Sequence, residues 1–243
     1  MRRIPVLAVL LLLPAAAPAG EKEARALIER AVRAQGGADA LRKAQQCQRT
    51  DTGTQAVLGA DATFVSEVTR SLPGKVRLNI TLKKKLRTTV VVNGDKGWQT
   101  EGGPAAEMFP QRLKELRDEA YVWWLSTLLP LLAEKGGFTL STLPDTTVHG
   151  EPAAGVKVTA KGRPETKLYF LKRNGLLAKV ERRASEAGLP VDKEYLYSTY
   201  KEFNGVKLPT HEVVLVNGRK WTDITISDYR FPAKLPASTF AKP

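Results

Sequence analysis

A single cysteine, Cys47, leaves no partner for an internal disulfide and no CxxC pair for redox chemistry or zinc. A lone cysteine of this kind is expected to act as a small buried hydrophobe. Histidine is nearly as scarce. His149 and His211 lie far apart in the chain, and a metal site needs three or four ligands with supporting partners. No metal and no cofactor is therefore expected. The chain also lacks G-x-S-x-G, HExxH, Walker and GxGxxG motifs, which removes the usual nucleophile, zinc and nucleotide chemistries. Paired carboxylates remain open, because two acids can converge from any two strands. Glu101, Glu151, Glu165, Asp192 and Asp223 are available. The sequence cannot pair them, and solvated surface charge is the plainer account of each.

Long apolar runs are missing too. The N-terminal Val6–Leu13 stretch is too short to span a bilayer. It follows Arg2 and Arg3 and precedes Ala17-Pro18-Ala19, the order of a signal peptide with a small-residue cleavage site. The expectation is a signal over residues 1–19, cleaved after Ala19, and one exported domain over residues 20–243. In a bacterium this places the protein in the periplasm. An uncleaved anchor is the alternative. No cysteine follows the apolar run, so no lipid-anchored N-terminus is expected.

Negative charge is in short supply: 38 Lys and Arg face 25 Asp and Glu, for a net +13 over 243 residues. In an exported protein this excess points to anionic head groups or acidic polymers rather than nucleic acid, or simply to solubility. Lys83, Lys84, Lys85 and Arg87 form the densest cluster. It reads either as a charged turn that blocks edge pairing, or as a contact for head groups, a passing membrane surface or an envelope protein.

What the chain does have is turn chemistry. Asn93-Gly94, Asn174-Gly175, Asn204-Gly205 and Asn217-Gly218 account for four of its five asparagines. Asn-Gly suits the type I′ turn, which matches the twist of hairpin strands. Between such steps lie Thr-, Val- and Leu-rich runs, from Gln48–Val57 to Lys220–Phe231, about a dozen in all. An antiparallel, hairpin-built sheet follows. In Glu212–Val216 both faces are apolar, so that strand should be covered on both sides. In Trp221–Ile226, Ile224 and Ile226 share one face against Asp223 and Thr225.

Three helices are expected. Ala24, Leu27, Ile28, Ala31 and Val32 recur at helical spacing in Glu21–Gln35, which Gly36-Gly37 stops. Asp39 can cap a short second helix reaching Ala44. A third starts at Pro110, carries Leu113, Leu116, Trp123, Trp124 and Leu128, and should end or kink at Pro130. Trp98, Met108, Phe109, Tyr121, Trp123 and Trp124 concentrate the aromatic and thioether content around it. A helix packed on a sheet accounts for part of this. The same pattern also suits a helical cover over an apolar cavity, where each buried methylene of an acyl chain contributes about 0.8 kcal/mol, so that no charged anchor is needed inside.

These residues resemble the outer-membrane lipoprotein-sorting proteins of the LolA/LolB-like superfamily, in their larger bacterial version. The resemblance rests on Ala34-Gln35-Gly36-Gly37 closing the first helix and on Val92-Asn93-Gly94-Asp95-Lys96-Gly97-Trp98 before the helical insertion. It continues through Lys167-Leu168-Tyr169-Phe170, Gly175-Leu176-Leu177, the stretch from Tyr197 to Pro209, and Ser238-Thr239-Phe240. It implies an α+β fold: an incomplete antiparallel β-barrel, a curved sheet of roughly 10–12 strands with helices over the concave face. It also implies a non-enzymatic carrier or sensor for lipid or lipoprotein acyl chains. Trp98, Met108, Leu113, Leu116, Trp123, Trp124 and Leu128 would line or close the cavity. The alternatives are an envelope scaffold that uses the basic surface and a carboxylate hydrolase.

Overall fold

The computed structural model describes residues 19–57, 59–133 and 136–243. The expected signal peptide lies outside them, apart from Ala19. Two helices open the described chain, α1 (Ala19–Ala34) and α2 (Ala38–Lys43). Six strands follow: β1 (Gln46–Val57), β2 (Ala60–Ser71), β3 (Lys75–Leu82), β4 (Leu86–Asn93), β5 (Lys96–Glu101) and the two-residue β6 (Ala106–Glu107). Helix α3 (Pro110–Ser126) and a 3-10 turn at Leu129–Leu132 separate them from the rest. That group comprises β7 (Phe138–Val148), β8 (Glu151–Ala160), β9 (Thr166–Leu171), β10 (Leu177–Glu186), β11 (Leu189–Phe203), β12 (Val206–Val216) and β13 (Arg219–Arg230).

All thirteen strands form one open sheet in the order β6-β5-β4-β3-β2-β1-β13-β12-β11-β10-β9-β8-β7. It is a meander joined between first and last long strands and cut open between β6 and β7. The chain crosses from one free edge to the other through α3. The fold is thus the incomplete α+β barrel, with β6 as the strand that sequence reading leaves out. Two residues carry no readable alternation.

Strand alternation sets one face inward. In β2, Ala62, Phe64, Ser66 and Val68 are buried while Thr63, Val65 and Glu67 are exposed. In β13 the register slips. Thr50 pairs with Asp228 and Asp51 with Ile226, so Ser227 is an extra residue. This bulge lets Ile224, Ile226 and Tyr229 all turn inward despite their uneven spacing.

Two of the four Asn-Gly steps make type I′ turns. Asn204 (φ 49°) with Gly205 (φ 82°) joins β11 to β12, and Asn217 (φ 50°) with Gly218 (φ 73°) joins β12 to β13. The other two differ. Asn93 pairs with Lys96, so Gly94 and Asp95 form the loop, and Asn93 donates its amide to the Phe240 carbonyl at 3.2 Å. Asn174 sits in a longer loop and accepts the Leu176 amide through its side chain at 3.0 Å. Among the described residues, three further strand turns with both central φ positive carry no asparagine: Lys83-Lys84, His149-Gly150 and Ala187-Gly188.

The described helices all pack on the concave face. Ala24, Ile28, Ala31 and Val32 of α1 bury against Leu140, Val156, Leu168 and Phe170 of β7–β9. The helix ends at Gly36, where φ is 114° and an added Cβ would lie 2.0 Å from the Gly205 carbonyl oxygen. Asp39 falls inside the first turn of α2 rather than capping it; Gly37 holds the cap position without a side-chain bond. Helix α3 buries Tyr121, Val122 and Leu125 in the same core. It stops at Ser126, four residues before Pro130. Ser126 and Thr127 bond back to the carbonyls of Val122 and Trp124 at 2.9 and 2.7 Å, and Leu128 turns left-handed at φ 63°. Pro130 instead sits in the first turn of the 3-10 segment. The convex face receives no described helix. There Tyr169, Leu171, Ala153 and Val148 cover one another across strands. Val213 and Leu215 remain half-buried on that face, so the two-sided strand is helix-covered on one side only.

Candidate functional site

Between α3 and the concave face lies a cleft of about 220 Å³. Its sheet wall is apolar: Phe64, Val68, Val76, Ile80, Val90 and Val92 come from β2–β4, with Val214 and Ile224 from β12 and β13. Leu116 and Trp123 face them from the helix. A smaller pocket of about 90 Å³ adjoins it beneath α2, lined by Gln35, Cys47, Arg70, Tyr197, Tyr200 and Tyr229. Arg49, Trp123 and Glu212 belong to both linings and form the partition.

The cleft is not wholly apolar. Arg49 is 8 % exposed and pairs with Asp51 at 3.1 Å and Glu212 at 3.2 Å. Burial works against its charge, yet the two carboxylates hold its pKa well above the usual arginine value. A second cluster centres on Glu119 of α3. Its Oε1 accepts from Arg182 at 2.8 Å and Lys193 at 2.6 Å, and its Oε2 from the Tyr195 hydroxyl at 2.6 Å. Burial pushes the Glu119 pKa up, but the charges of Arg182 and Lys193 outweigh it and leave the carboxyl below its ordinary range. One turn earlier, Glu115 accepts the Gly188 amide at 2.9 Å and the Ser185 hydroxyl at 3.1 Å, which ties the β10–β11 hairpin to the helix. Its carboxyl is also lowered: burial opposes ionisation and these hydrogen bonds favour it.

These acids do converge on a cleft, but they are not the ones named from sequence. Glu101, Glu151, Glu165, Asp192 and Asp223 line neither cavity. A general acid needs a raised carboxyl pKa, whereas Glu115 and Glu119 are lowered. A second arrangement lies on the convex face. The Ser198 hydroxyl meets His211 Nδ1 at 3.0 Å, and His211 Nε2 meets Asp223 at 2.9 Å. The order is that of nucleophile, base and orienting acid. The three sit on neighbouring strands of an open surface, outside both cavities, with no wall to hold a substrate. Among the described residues no group of His, Cys, Asp and Glu is disposed to hold a metal ion.

Of the residues expected to line or close the cavity, Leu116 and Trp123 face the cleft. Met108 and Leu113 pack instead over Gly97, where a Cβ would lie 3.0 Å from Met108 Sδ and 2.7 Å from Leu113 Cδ1. Strand alternation then turns Trp98 to the opposite face of β5. Trp124 packs between Tyr121 and Phe138, with ring centroids at 6.1 and 5.9 Å. Leu128 is fully buried in the main core. Phe109 is 83 % exposed. Lys83 and Lys84 are the central residues of the β3–β4 turn at φ 49° and 57°, and Lys85 and Arg87 are exposed beside them. Cys47 is buried, as a small hydrophobe would be. Sequence reading missed the Arg49 and Glu119 clusters. The one available signal was a charged residue at an inward strand position, such as Glu212 between the valines of β12.

An open antiparallel half-barrel with its helices gathered on the concave side is a LolA-like fold. The chain aligns with a LolA superfamily protein from Nitrosomonas europaea at a TM-score of 0.59 and 15 % identity, covering 90 % of this chain and 97 % of that one. A DUF1329 family protein from Desulfovibrio piger gives 0.57 and 12 %, with the same coverage. A domain assigned to outer membrane lipoprotein sorting in Vibrio parahaemolyticus gives 0.55 and 12 %, again covering 90 % and 97 %. At these identities the likeness is one of fold. No family model matches the chain, and no curated protein matches it in sequence. No described helix is long and apolar enough to cross a membrane.

Proposed function

We propose that this protein is an exported, non-enzymatic carrier or sensor that binds the acyl chain of a lipid or lipoprotein between α3 and the sheet. The supporting observation is the apolar wall of β2–β4 facing Leu116 and Trp123 across about 220 Å³. The LolA-like fold supports the same reading, and the signal-like N-terminus favours a periplasmic location. Drug-sized ligands occupy pockets of about 300 Å³ or more. A long acyl chain therefore needs α3 to move outward, or its end must leave through the mouth. On this reading Leu116 and Trp123 touch the chain, while Met108, Leu113, Trp124 and Leu128 seat the helix that closes over it. Trp98 braces β5 from the outer face.

Uptake of a fluorescent fatty acid tests the reading. The full mature chain should bind it saturably, and Ile80→Trp, which fills the cleft, should abolish binding while the circular dichroism spectrum stays unchanged. Equal uptake by wild type and Ile80→Trp would place the fatty acid elsewhere. A second reading draws on the exposed lysine turn beside Leu86, itself 49 % exposed: a scaffold that contacts an acidic surface and has an ordinary packed core. Neutralising Lys83, Lys84, Lys85 and Arg87 separates the two, because only the scaffold loses its partner while fatty-acid uptake persists.

A further inference from the structure

We propose that the inner pocket receives the anionic head of an amphiphile whose tail lies in the larger cleft, with Arg70 as the counter-charge. The proposal rests on the acyl-binding reading and adds the head-group chemistry and its orientation. The two spaces adjoin through Arg49, Trp123 and Glu212. Their electrostatics differ. The outer cleft is lined by three cations, Arg49, Arg112 and Lys193, against five carboxylates. The inner pocket is lined by Arg49 and Arg70 against Glu212 alone. An anion is repelled by the outer wall and favoured within.

Arg49 is a poor anchor, since Asp51 and Glu212 already occupy it. Arg70 differs. Among the described residues it has no carboxylate within 4.0 Å. Its Nε is buried without a hydrogen-bond partner, and its NH2 group meets only the Cys47 sulfur at 3.8 Å. The guanidinium lies 5.4 Å from the Trp123 ring centroid, which fixes its face. Stacking of this kind leaves the edge donors of the fork available, and that fork matches a carboxylate or phosphate. Gln35, 3 % exposed, lines the same pocket with an unpartnered side-chain oxygen. Its amide presents NH2 donors if turned over. A half-buried cation without a counter-ion is costly, and a bound head group would supply the missing charge.

The test displaces a bound fluorescent fatty acid from the full mature chain with laurate, dodecyl phosphate, dodecanol and dodecylamine. One or both anions should compete better than dodecanol, and the better anion identifies the head as carboxylate or phosphate. Arg70→Gln should weaken anion binding by about tenfold or more and leave dodecanol within about twofold. Arg70→Lys, which keeps the charge but not the fork, should fall between, and it serves as the informative variant if Arg70→Gln does not fold. Equal loss for all four ligands, no loss for the anions, or a preference for dodecylamine overturns the head-group assignment and leaves acyl binding standing. If none of the four competes and the wild type takes up no fatty acid, both readings fail together.

Discussion

Glu119 shows how far a single side chain can organise this site. It lies on α3, with two of its partners on β11 and the third on β10, and its removal leaves Arg182 and Lys193, with side chains 3 % and 8 % exposed, without their shared carboxylate. Breaking a buried pair on one side costs about 3 kcal/mol or more, so Glu119→Ala should lower the unfolding free energy by about 3 kcal/mol in a urea titration. The pH dependence follows from the same group. Its folded pKa lies below the ordinary 4.5, so its contribution is fully present above that value. It is lost as pH falls through the folded pKa. The stability gap between wild type and Glu119→Gln should therefore hold at neutral pH and narrow below about pH 4.5. A gap independent of pH would mean that Glu119 is not ionised in the folded protein. None of this was legible in the sequence. Glu119 reads there as one more charge on an amphipathic helix, and only the crossing of α3 brings it to strands more than sixty residues later.

At the scale of elements, the strands and hairpins were legible because their signals are local. Alternation identifies β2 and β13, and Asn-Gly identifies the turns on either side of β12. The turn at Ala187-Gly188 was not, since alanine does not advertise a left-handed residue. Ala187 holds φ 50° at the steric cost of an L-residue in that region. Ala187→Asn, which suits the type I′ turn, should stabilise the protein by about 0.5–1 kcal/mol, read as a higher denaturation midpoint. The seam between β1 and β13 is the element on which the open barrel depends. An added Cβ at Gly53 would lie 2.1 Å from the Asp223 carbonyl oxygen. Gly53→Ala must push these strands apart and should destabilise by about 2–3 kcal/mol, measured the same way. The charge inside the cleft escaped the sequence for a further reason. Glu212 stands in an apolar strand, but Arg49 reaches it only across the seam.

At the scale of the whole molecule, α3 lies on the path by which the chain crosses from one free edge of the open sheet to the other. The helix is held over the concave face by two kinds of contact. Tyr121, Val122 and Leu125 anchor its C-terminal end in the core, and Leu113, Leu116 and Ala120 pack with Val76 and Val92 of β3 and β4, while Glu115 and Glu119 tie it to β10 and β11. Composition and the family resemblance made the half-barrel legible. The pairing of its hydrophobic wall with a charged seam was not, because it depends on register across six strands. The most direct test of acyl binding is native mass spectrometry of the protein expressed from its full sequence in a bacterium and purified without added lipid. The account predicts a population carrying one amphiphile, released on denaturation. A uniformly ligand-free protein that also takes up no fatty acid would contradict it.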